Sequence, residues 1–320
     1  MAGSRRALVT GCAGFIGSHL AERLLDDGFD AVGVDCFTGN YAREAKEANL
    51  ERLVAEPAFE LREIDLVADP LDELLDGVDE VYHLAAQTSV RASFGAGYRD
   101  YVRNNVAATS RLLAAAARTP PLTFVYASSS SVYGDALELP TPETAPLVPI
   151  SPYGMTKAAV EDLAGGSWRD HGVPVVGLRY FTAYGPRQRP DMAFSRFIAA
   201  TLAGEPVELL GDGRQVRDFT YVGDVVEATR AAARDGEPGS VYNVGGGAPV
   251  ELREAIGVIG ELIGRAPRIE PRAPARGDVG CTAADTTLTE RDLGVSAATP
   301  LVDGLAAQLD WVRAAGLTRL

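Results

Sequence analysis

Two side chains capable of acid–base chemistry, Tyr153 and Lys157, stand four residues apart near the middle of the chain. The sequence around them has a helical pattern, and residues at this spacing project from the same face of a helix. Tyrosine alone titrates at about 10, and a neighbouring ammonium would lower that pKa and make a phenolate base available. Because such pairs are more often surface residues, this chemistry needs support from other motifs.

A run of four hydroxyls, Ser128-Ser129-Ser130-Ser131, precedes this pair in the chain. The run follows an apolar, strand-like segment at residues 124–127. Ligands of open α/β sheets bind at the carboxyl ends of the strands. One of these serines could therefore hydrogen-bond a substrate hydroxyl, and a solvent-exposed serine loop is the alternative.

A glycine-rich segment near the N-terminus separates the first expected strand from the first expected helix. Gly11, Gly14 and Gly17 would let the backbone turn tightly and approach a pyrophosphate, while the helix N-terminus adds free N–H groups. Asp35 ends the next strand, where a carboxylate accepts hydrogen bonds from the adenosine ribose and repels a 2′-phosphate. Together these residues predict NAD rather than NADP as cofactor. The alternatives are an ordinary glycine turn and a helix-capping acid.

Composition limits the possible partners. The chain has 320 residues, is 46% hydrophobic and has a formal net charge of −14, and this acid excess argues against a nucleic-acid partner. The three cysteines match no metal motif and the three histidines are scattered, so no metal site is expected. No apolar run approaches the roughly 20 residues that cross a bilayer, and no signal core is evident. We therefore expect a soluble cytoplasmic protein that binds no membrane.

Short apolar segments alternate with helical ones over the first half of the chain. Strands are expected at residues 7–10, 31–35, 61–64, 81–85, 124–127 and 173–178, and helices from residue 16 and at 102–117 and 152–165. This order predicts an α/β fold with a doubly wound parallel sheet, the Rossmann architecture. We expect an NAD-binding domain over residues 1–178, to which residues 215–243 return, and a smaller mixed α/β substrate lobe over residues 179–320.

The combined motifs resemble the extended short-chain dehydrogenase/reductase family, and within it the nucleotide-sugar 4-epimerases. The resemblance covers nearly the whole chain. It rests on the glycine spacing, Asp35, His83-Leu84-Ala85-Ala86, the serine run with Val132-Tyr133-Gly134, and Ser151-Pro152-Tyr153-Gly154-Met155-Thr156-Lys157. It implies an NAD-dependent isomerase whose second lobe binds the nucleotide sugar.

The resemblance also implies a role for each matching residue. Tyr153 would be the base, Lys157 would hold the cofactor ribose, and Ser129 would be the hydroxyl nearest the substrate. The cofactor site would consist of Gly11, Gly14, Phe15, Ile16, Gly17, Asp35, Asp65, Leu66, Ala85, Ala86, Gln87, Asn104, Tyr153, Lys157, Tyr180 and Phe181. The substrate site would consist of Ser129, Ser130, Ser131, Thr182, Arg189, Arg217, Arg276 and Asp278. Ala275 stands where many relatives carry arginine.

Departures from the wider family narrow the reaction. Sugar 4,6-dehydratases carry an Asp-Glu pair where this chain has Ser130-Ser131, and sugar-acid decarboxylases typically keep glutamate at the position of Ser131. The segment 182–194 is similar to that of UDP-glucuronic acid 4-epimerases. Thr182 and Arg189, with the two serines, could hold a sugar carboxylate; the alternative is that Arg187 and Arg189 are solvated loop cations.

The sequence therefore predicts an enzyme that converts UDP-glucuronic acid to UDP-galacturonic acid through a 4-keto intermediate. The remaining alternatives are a UDP-glucose or UDP-N-acetylglucosamine 4-epimerase, a UDP-glucuronate decarboxylase, and an NAD-binding redox sensor without catalysis. In relatives, the helices expected at residues 102–117 and 152–165 form a four-helix interface, so we also expect a homodimer.

Overall fold

The computed structural model describes residues 4–274 and 276–316, so Ala275 lies outside the described residues. The strands are β1 (Arg6–Thr10), β2 (Asp30–Asp35), β3 (Phe59–Glu63), β4 (Glu80–His83), β5 (Thr123–Ser129), β6 (Val175–Tyr180), β7 (Thr182–Tyr184), β8 (Val207–Leu210), β9 (Val216–Arg217), β10 (Phe219–Tyr221), β11 (Val241–Val244), β12 (Val250–Glu251) and β13 (Ile269–Arg272). The helices are α1 (Phe15–Asp26), α2 (Arg43–Leu50), α3 (Tyr98–Tyr101), α4 (Ala108–Arg118), α5 (Pro152–His171), α6 (Ala193–Ala203), α7 (Val222–Asp235), α8 (Leu252–Ile263), α9 (Thr287–Leu293) and α10 (Leu301–Ala314).

A seven-stranded parallel sheet forms the centre of the molecule. Its strand order is β11-β6-β5-β4-β1-β2-β3, and every pairing in it is parallel. The order reverses between β1 and β4, which opens a crevice at the carboxyl ends of the strands. The predicted doubly wound α/β fold is therefore confirmed.

Helices cover both faces of this sheet, which is why its strands are apolar on both sides. Alternate residues of β1 point to opposite faces. Leu8 packs with Leu112 of α4 and Val160 of α5, whereas Val9 joins a cluster that contains Leu20 of α1. These two layers fix α1 and α5, the helices that carry the predicted cofactor loop and the predicted acid–base pair.

A second hydrophobic core lies among α6, α8 and α10. It contains Phe194, Phe197, Ile256, Ile259 and Leu305. Nearby, β13 pairs with β8, β10 with β7, and β12 with β9. In contrast, α7 packs against α1 and β11 adds to the edge of the large sheet beside β6. The domain boundary at residue 178 stays a prediction.

Several predicted element bounds were wrong. The helix expected at residues 102–117 contains a π-helical segment, Val102–Ala107, between α3 and α4. Hydrophobic spacing over a few residues does not distinguish this wider turn from an α-helical one. The helix expected to end at residue 165 runs to His171, where Gly172 ends it in the left-handed conformation. Strand β4 ends at His83, so Leu84 and Ala85 belong to the loop that follows.

Within the described residues, no helix has both the length and the apolar character needed to cross a membrane. In the same ranges, no group of three or more histidine, cysteine, aspartate or glutamate side chains is placed to hold a metal ion.

Candidate active site

A large cavity of about 570 Å³ opens at the carboxyl ends of the parallel strands. Every residue that the sequence assigned to the cofactor or the substrate lines this cavity. The strand order explains the convergence, because the loops after β1, β2, β4, β5 and β6 all leave the sheet at the same edge. The structure thus brings the predicted residues together, whereas the role of each one stays a prediction.

The glycine loop after β1 is shaped by close backbone contacts. Gly11 has a φ of +73°, and a Cβ there would lie 2.9 Å from the Cα of Ala85 in the loop after β4. A Cβ on Gly17 would lie 2.1 Å from the carbonyl oxygen of Gly11. Gly14 precedes α1 without a side-chain cap, so the positive end of the helix is open to the cavity. This arrangement fits a pyrophosphate.

Asp35 lies at the end of β2 beside this loop. One carboxylate oxygen accepts a hydrogen bond from the Ala13 amide at 3.2 Å and the other from the Phe37 amide at 2.8 Å. Burial raises the pKa of Asp35 above its usual value. The remaining lone pairs of the carboxylate are those that would accept hydrogen bonds from ribose hydroxyls. The residues present therefore fit NAD.

The part of the cavity predicted to meet the adenine is held by one ion pair and a neighbouring hydrogen bond. Arg103 donates to a carboxylate oxygen of Asp65 at 2.6 Å and to the side-chain oxygen of Asn104 at 2.8 Å. The hydrogen bond and charge of Arg103 keep the pKa of Asp65 below its ordinary value.

Asn105, which the sequence reasoning missed, fixes the neighbouring loop. Its side chain accepts from the Gln87 amide at 2.7 Å and donates to the Gln87 carbonyl at 3.0 Å. It also donates to Thr156 of α5 at 3.0 Å.

The acid–base pair lies on the buried face of α5. Ser151 caps this helix by accepting a hydrogen bond from the Gly154 amide at 3.1 Å, and Pro152 fills the first turn. The Lys157 ammonium donates to the carbonyl oxygen of Ala127, at the end of β5, at 2.7 Å. Burial lowers the pKa of Lys157 to about 8, although the charge of Glu161 opposes this shift.

The pKa of Tyr153 is raised, whereas the sequence led us to expect that it would be lowered. Burial raises its pKa, while a hydrogen bond with Ser129 and the charge of Arg189 lower it. The expected lowering came from Lys157, but the ammonium of that residue is turned toward Ala127. Arg189 is the cation that favours the phenolate in this structure.

The four serines are not a solvent-exposed loop. Ser128 is buried among the lining residues of the cavity and donates to the buried carboxylate of Glu161. Ser129 is 8% exposed, accepts from the Ser131 amide at 3.2 Å, and contacts Tyr153. Ser130 and Ser131 continue into a tight turn whose residues line the cavity.

A buried ion pair behind α5 was also missed. Glu161 lies one turn beyond Lys157, and its carboxylate pairs with Arg179 of β6 at 2.7 Å. Arg179 also donates to the Tyr133 hydroxyl at 2.8 Å, which itself donates to Asn243 at 2.7 Å. Glu161 stands four residues after Lys157, and this helical spacing is the feature of the sequence that could have predicted their proximity.

The loop after β7 carries Arg187 and Arg189, of which Arg189 was expected near the sugar. Arg189 lines the cavity, and only 14% of its side chain is exposed. Its guanidinium forms two hydrogen bonds with Asp191, at 2.9 and 2.8 Å. Arg187 turns to α1, where it pairs with Glu22 at 2.7 Å. Neither arginine is a freely solvated cation.

Two aromatic residues end β6 and begin the loop toward this region. Tyr180 lines the cavity but its hydroxyl is paired with that of Thr229 at 2.8 Å. Phe181 packs with Tyr133 and Val132. Thr182 follows as the first residue of β7 and also lines the cavity.

The residues expected to bind the nucleotide are held by contacts of their own. Arg217 forms an ion pair with Asp278 and donates to the carbonyl oxygen of Val279 at 2.8 Å. The Arg276 guanidinium lies over the ring of Phe94, 4.7 Å from its centre. Arg217 and Arg276 both line the cavity.

Comparison with known proteins assigns the family. The NAD dependent epimerase/dehydratase family model matches residues 7–245. The chain belongs to this family. This match to an NAD-dependent family confirms the predicted NAD cofactor and the predicted enzyme class.

The similar proteins within the family act on different nucleotide sugars. A solved UDP-glucuronic acid 4-epimerase of Bacillus cereus, in complex with UDP-glucuronic acid and NAD, is 37% identical and superposes with a TM-score of 0.94 over 97% of this chain and 99% of that chain. An uncharacterized UDP-glucose epimerase of Bacillus subtilis is 40% identical and aligns over 96% of this chain and 98% of the relative. A dTDP-glucose 4,6-dehydratase of Streptomyces griseus is 37% identical over 95% and 93% of the two chains.

Replacement of the predicted base tests its role. Tyr153→Phe keeps the ring but removes the ionisable hydroxyl, so turnover should fall by about 10²- to 10⁴-fold while NAD stays bound. Tyr98→Phe, which alters an exposed tyrosine of α3, is the matched control. Steady-state rates and the NAD released on denaturation are measured for both variants. Turnover near that of the unmodified chain would remove Tyr153 from the mechanism.

Proposed function

We propose that the protein is a UDP-glucuronic acid 4-epimerase, which interconverts UDP-glucuronic acid and UDP-galacturonic acid. The observation that carries this proposal is the presence of the Arg189 guanidinium in the same buried cavity as Tyr153, close enough for its charge to favour the phenolate. A sugar carboxylate near Tyr153 would meet a cation there. The similarity to the Bacillus cereus enzyme supports the same substrate.

The side chains of the site have distinct proposed tasks. Tyr153 takes the proton from the sugar O4, with Ser129 holding that hydroxyl in position. Lys157 holds the nicotinamide ribose, with its ammonium fixed by the carbonyl oxygen of Ala127. When bound, NAD would supply the redox chemistry, as acceptor and later donor of the C4 hydride. Tyr153 then gives the proton back to O4.

Inversion requires the sugar to present its other face between these two steps. We propose that the ion-paired Arg217 and the Phe94-stacked Arg276 hold the nucleotide diphosphate while the sugar rotates. The 4-keto intermediate is a β-keto acid, which readily loses CO₂. The site must therefore hold the carboxylate out of the geometry that favours cleavage of the C–C bond, and Thr182, Ser130 and Arg189 line the cavity where this can occur.

The alternative functions lack this support. Ser130 and Ser131 provide no carboxyl group for elimination or decarboxylation at the positions where the resemblance places one. A UDP-glucose or UDP-N-acetylglucosamine 4-epimerase has no use for a guanidinium beside the C5 substituent. A redox sensor has no use for the buried pair of Tyr153 and Lys157.

Product analysis tests the substrate directly. Purified protein is incubated separately with UDP-glucuronic acid, UDP-glucose and UDP-N-acetylglucosamine, and the products are resolved by chromatography and NMR. UDP-galacturonic acid should form from the first substrate, and the other two should react more slowly. Turnover of UDP-glucose with no reaction of UDP-glucuronic acid would contradict the proposal.

Removal of the guanidinium tests how the carboxylate is held. Arg189→Ala should reduce epimerisation of UDP-glucuronic acid by at least about tenfold, because a charge-assisted bidentate contact is lost. The loosely held intermediate should then yield a 4-keto pentose nucleotide and CO₂. Arg291→Ala, which removes an exposed guanidinium of α9, controls for the change in net charge. Normal epimerisation by Arg189→Ala would rule out this role.

We also propose that two copies associate through the faces of α4, α5 and the adjoining π-helical segment. Val102, Met155 and Trp168 are exposed apolar side chains there, whereas Leu112 and Leu113 of α4 are buried in the core. Light scattering at micromolar concentration should give twice the mass of one chain. Met155→Glu should shift the protein toward the monomer, and a monomeric unmodified chain would contradict the proposal.

The cysteines of the chain bear on the cellular compartment in which the enzyme acts. Cys12, Cys36 and Cys281 are free, and burial raises the pKa of the first two above the usual value of a thiol. Unpaired cysteines are typical of a reducing compartment. We therefore propose that the enzyme acts in the cytoplasm.

A further inference from the structure

We propose that Asp191 is a positioning residue that fixes the Arg189 guanidinium for the sugar carboxylate and so decides whether the intermediate is epimerised or decarboxylated. The inference deepens the proposed function of the same cavity and rests on it. It concerns a residue that the sequence motifs did not single out.

The pair has a defined two-point geometry. Nε and Nη2 of Arg189 donate to the two carboxylate oxygens of Asp191, at 2.9 and 2.8 Å. Two parallel hydrogen bonds fix both the position and the plane of a guanidinium, which one bond cannot do. Because the two residues are separated only by Pro190, whose φ is restricted by its ring, the pair is local to the loop.

The exposure of the two partners argues against a purely stabilising role. The Arg189 side chain is 14% exposed, whereas that of Asp191 is 48% exposed. Water reaches the half-exposed carboxylate, so this pair contributes less to stability than a fully buried one. Removing the charge of Asp191 should therefore leave the chain folded, and the value of the pair lies in orienting Arg189.

The backbone beneath Arg189 is anchored independently. The side-chain oxygen of Gln188 accepts from the Ser195 amide at 3.1 Å and from Gln308 at 2.9 Å, and its amide donates to the Ala183 carbonyl at 3.2 Å. The Met192 amide donates to the Arg189 carbonyl at 3.1 Å. The backbone contacts thus fix the main chain of Arg189, and Asp191 fixes its guanidinium. This arrangement preorganises a binding group.

The unused donors of Arg189 form a second fork. A guanidinium carries five N–H donors, and Asp191 takes one from Nε and one from Nη2. Nη1 forms no hydrogen bond within residues 4–274 and 276–316. Its donors, with the remaining one on Nη2, match the spacing of a second carboxylate. Arg189 can therefore bind Asp191 and a uronate at the same time, and a neutral hexose would leave this fork without an anionic partner.

The charge of Asp191 is maintained by its surroundings. Burial alone would raise the pKa of Asp191, but the hydrogen bonds and charge of Arg189, with a further contribution from the charge of Arg91, bring it below its ordinary value. The orienting carboxylate is consequently ionised at neutral pH.

Loss of orientation has a defined chemical outcome. In the 4-keto uronate the C5–C6 bond can break, with its electron pair moving into the enolate of the C4 ketone while C6 leaves as CO₂. C5 then takes a proton from water, and the hydrogen removed from C4 remains on the cofactor. This cleavage is fastest when the C5–C6 bond is perpendicular to the plane of the ketone. A fixed guanidinium can hold the carboxylate away from that geometry.

Asp191→Asn tests the proposal. Asparagine keeps the size and one acceptor oxygen but loses the charge and the second acceptor. With UDP-glucuronic acid, the ratio of CO₂ to UDP-galacturonic acid should rise on the order of tenfold, the loss of one charge-assisted bond, and KM should rise. NAD retention and the thermal midpoint should change little. Asp191→Glu, which restores the charge, should recover part of the epimerisation.

Glu22→Gln in α1 is the matched control, because it changes a different contact of the same loop. It weakens the pair of Glu22 with Arg187, on the side of the loop that faces α1. It should lower the thermal midpoint without changing the product ratio. If loosening of the loop were sufficient, Glu22→Gln would shift the ratio as much as Asp191→Asn, and the proposal would be overturned.

The remaining outcomes separate this inference from the proposed function. The role of Asp191 is overturned if Asp191→Asn changes neither the ratio of CO₂ to UDP-galacturonic acid nor KM. If the unmodified chain epimerises UDP-glucuronic acid normally in that case, the proposed function still holds. Tighter binding of UDP-glucuronic acid by Asp191→Asn would show that Asp191 competes with the substrate, and would also overturn it. Failure of the unmodified chain to act on UDP-glucuronic acid overturns both.

Discussion

The burial of Tyr153 is the constraint on which the rest of the active site depends. A phenol removed from water is a poor acid, because burial disfavours the charged form and raises its pKa. The same burial acts in the opposite direction on Lys157 and lowers its pKa to about 8. Both residues of the pair are thus shifted toward their neutral forms, and their chemistry requires compensating charges.

A chain of charged and hydrogen-bonded side chains that starts at Lys157 supplies this compensation. Glu161 supports the charge of Lys157, and this buried carboxylate is in turn neutralised by Arg179 at 2.7 Å. Arg179 reaches Tyr133, and Tyr133 reaches Asn243 in β11. A buried charge without a partner is strongly unfavourable. The acid–base pair of one helix therefore depends on strands β5, β6 and β11.

Much of this arrangement could be predicted from local sequence. Gly11, Asp35 and the serine run follow strand ends, and parallel strands bring their carboxyl ends to one edge, so a shared cavity followed from the order of elements. The partners of the charged residues could not be predicted. The pairing of Arg189 with Asp191, and of Arg187 with Glu22 in α1, depends on where the loop turns, and hydrophobic periodicity carries no information about that. The electrostatic effect on Tyr153 was assigned to Lys157 for the same reason.

The π-helical segment Val102–Ala107 has a consequence for how the molecule tolerates change in length. A π turn accommodates one more residue than an α turn, so deletion of a single residue there would convert it to an ordinary helix. Each residue of an α-helix advances by about 100° around the axis. The deletion would rotate the two ends of this helical stretch relative to each other, so that Asn105 could not reach Gln87 while Leu112 kept its place in the core. The extra residue therefore lets one continuous helical stretch place Asn105 against Gln87 and Leu112 in the core at the same time. These two contacts together fix the length of the stretch.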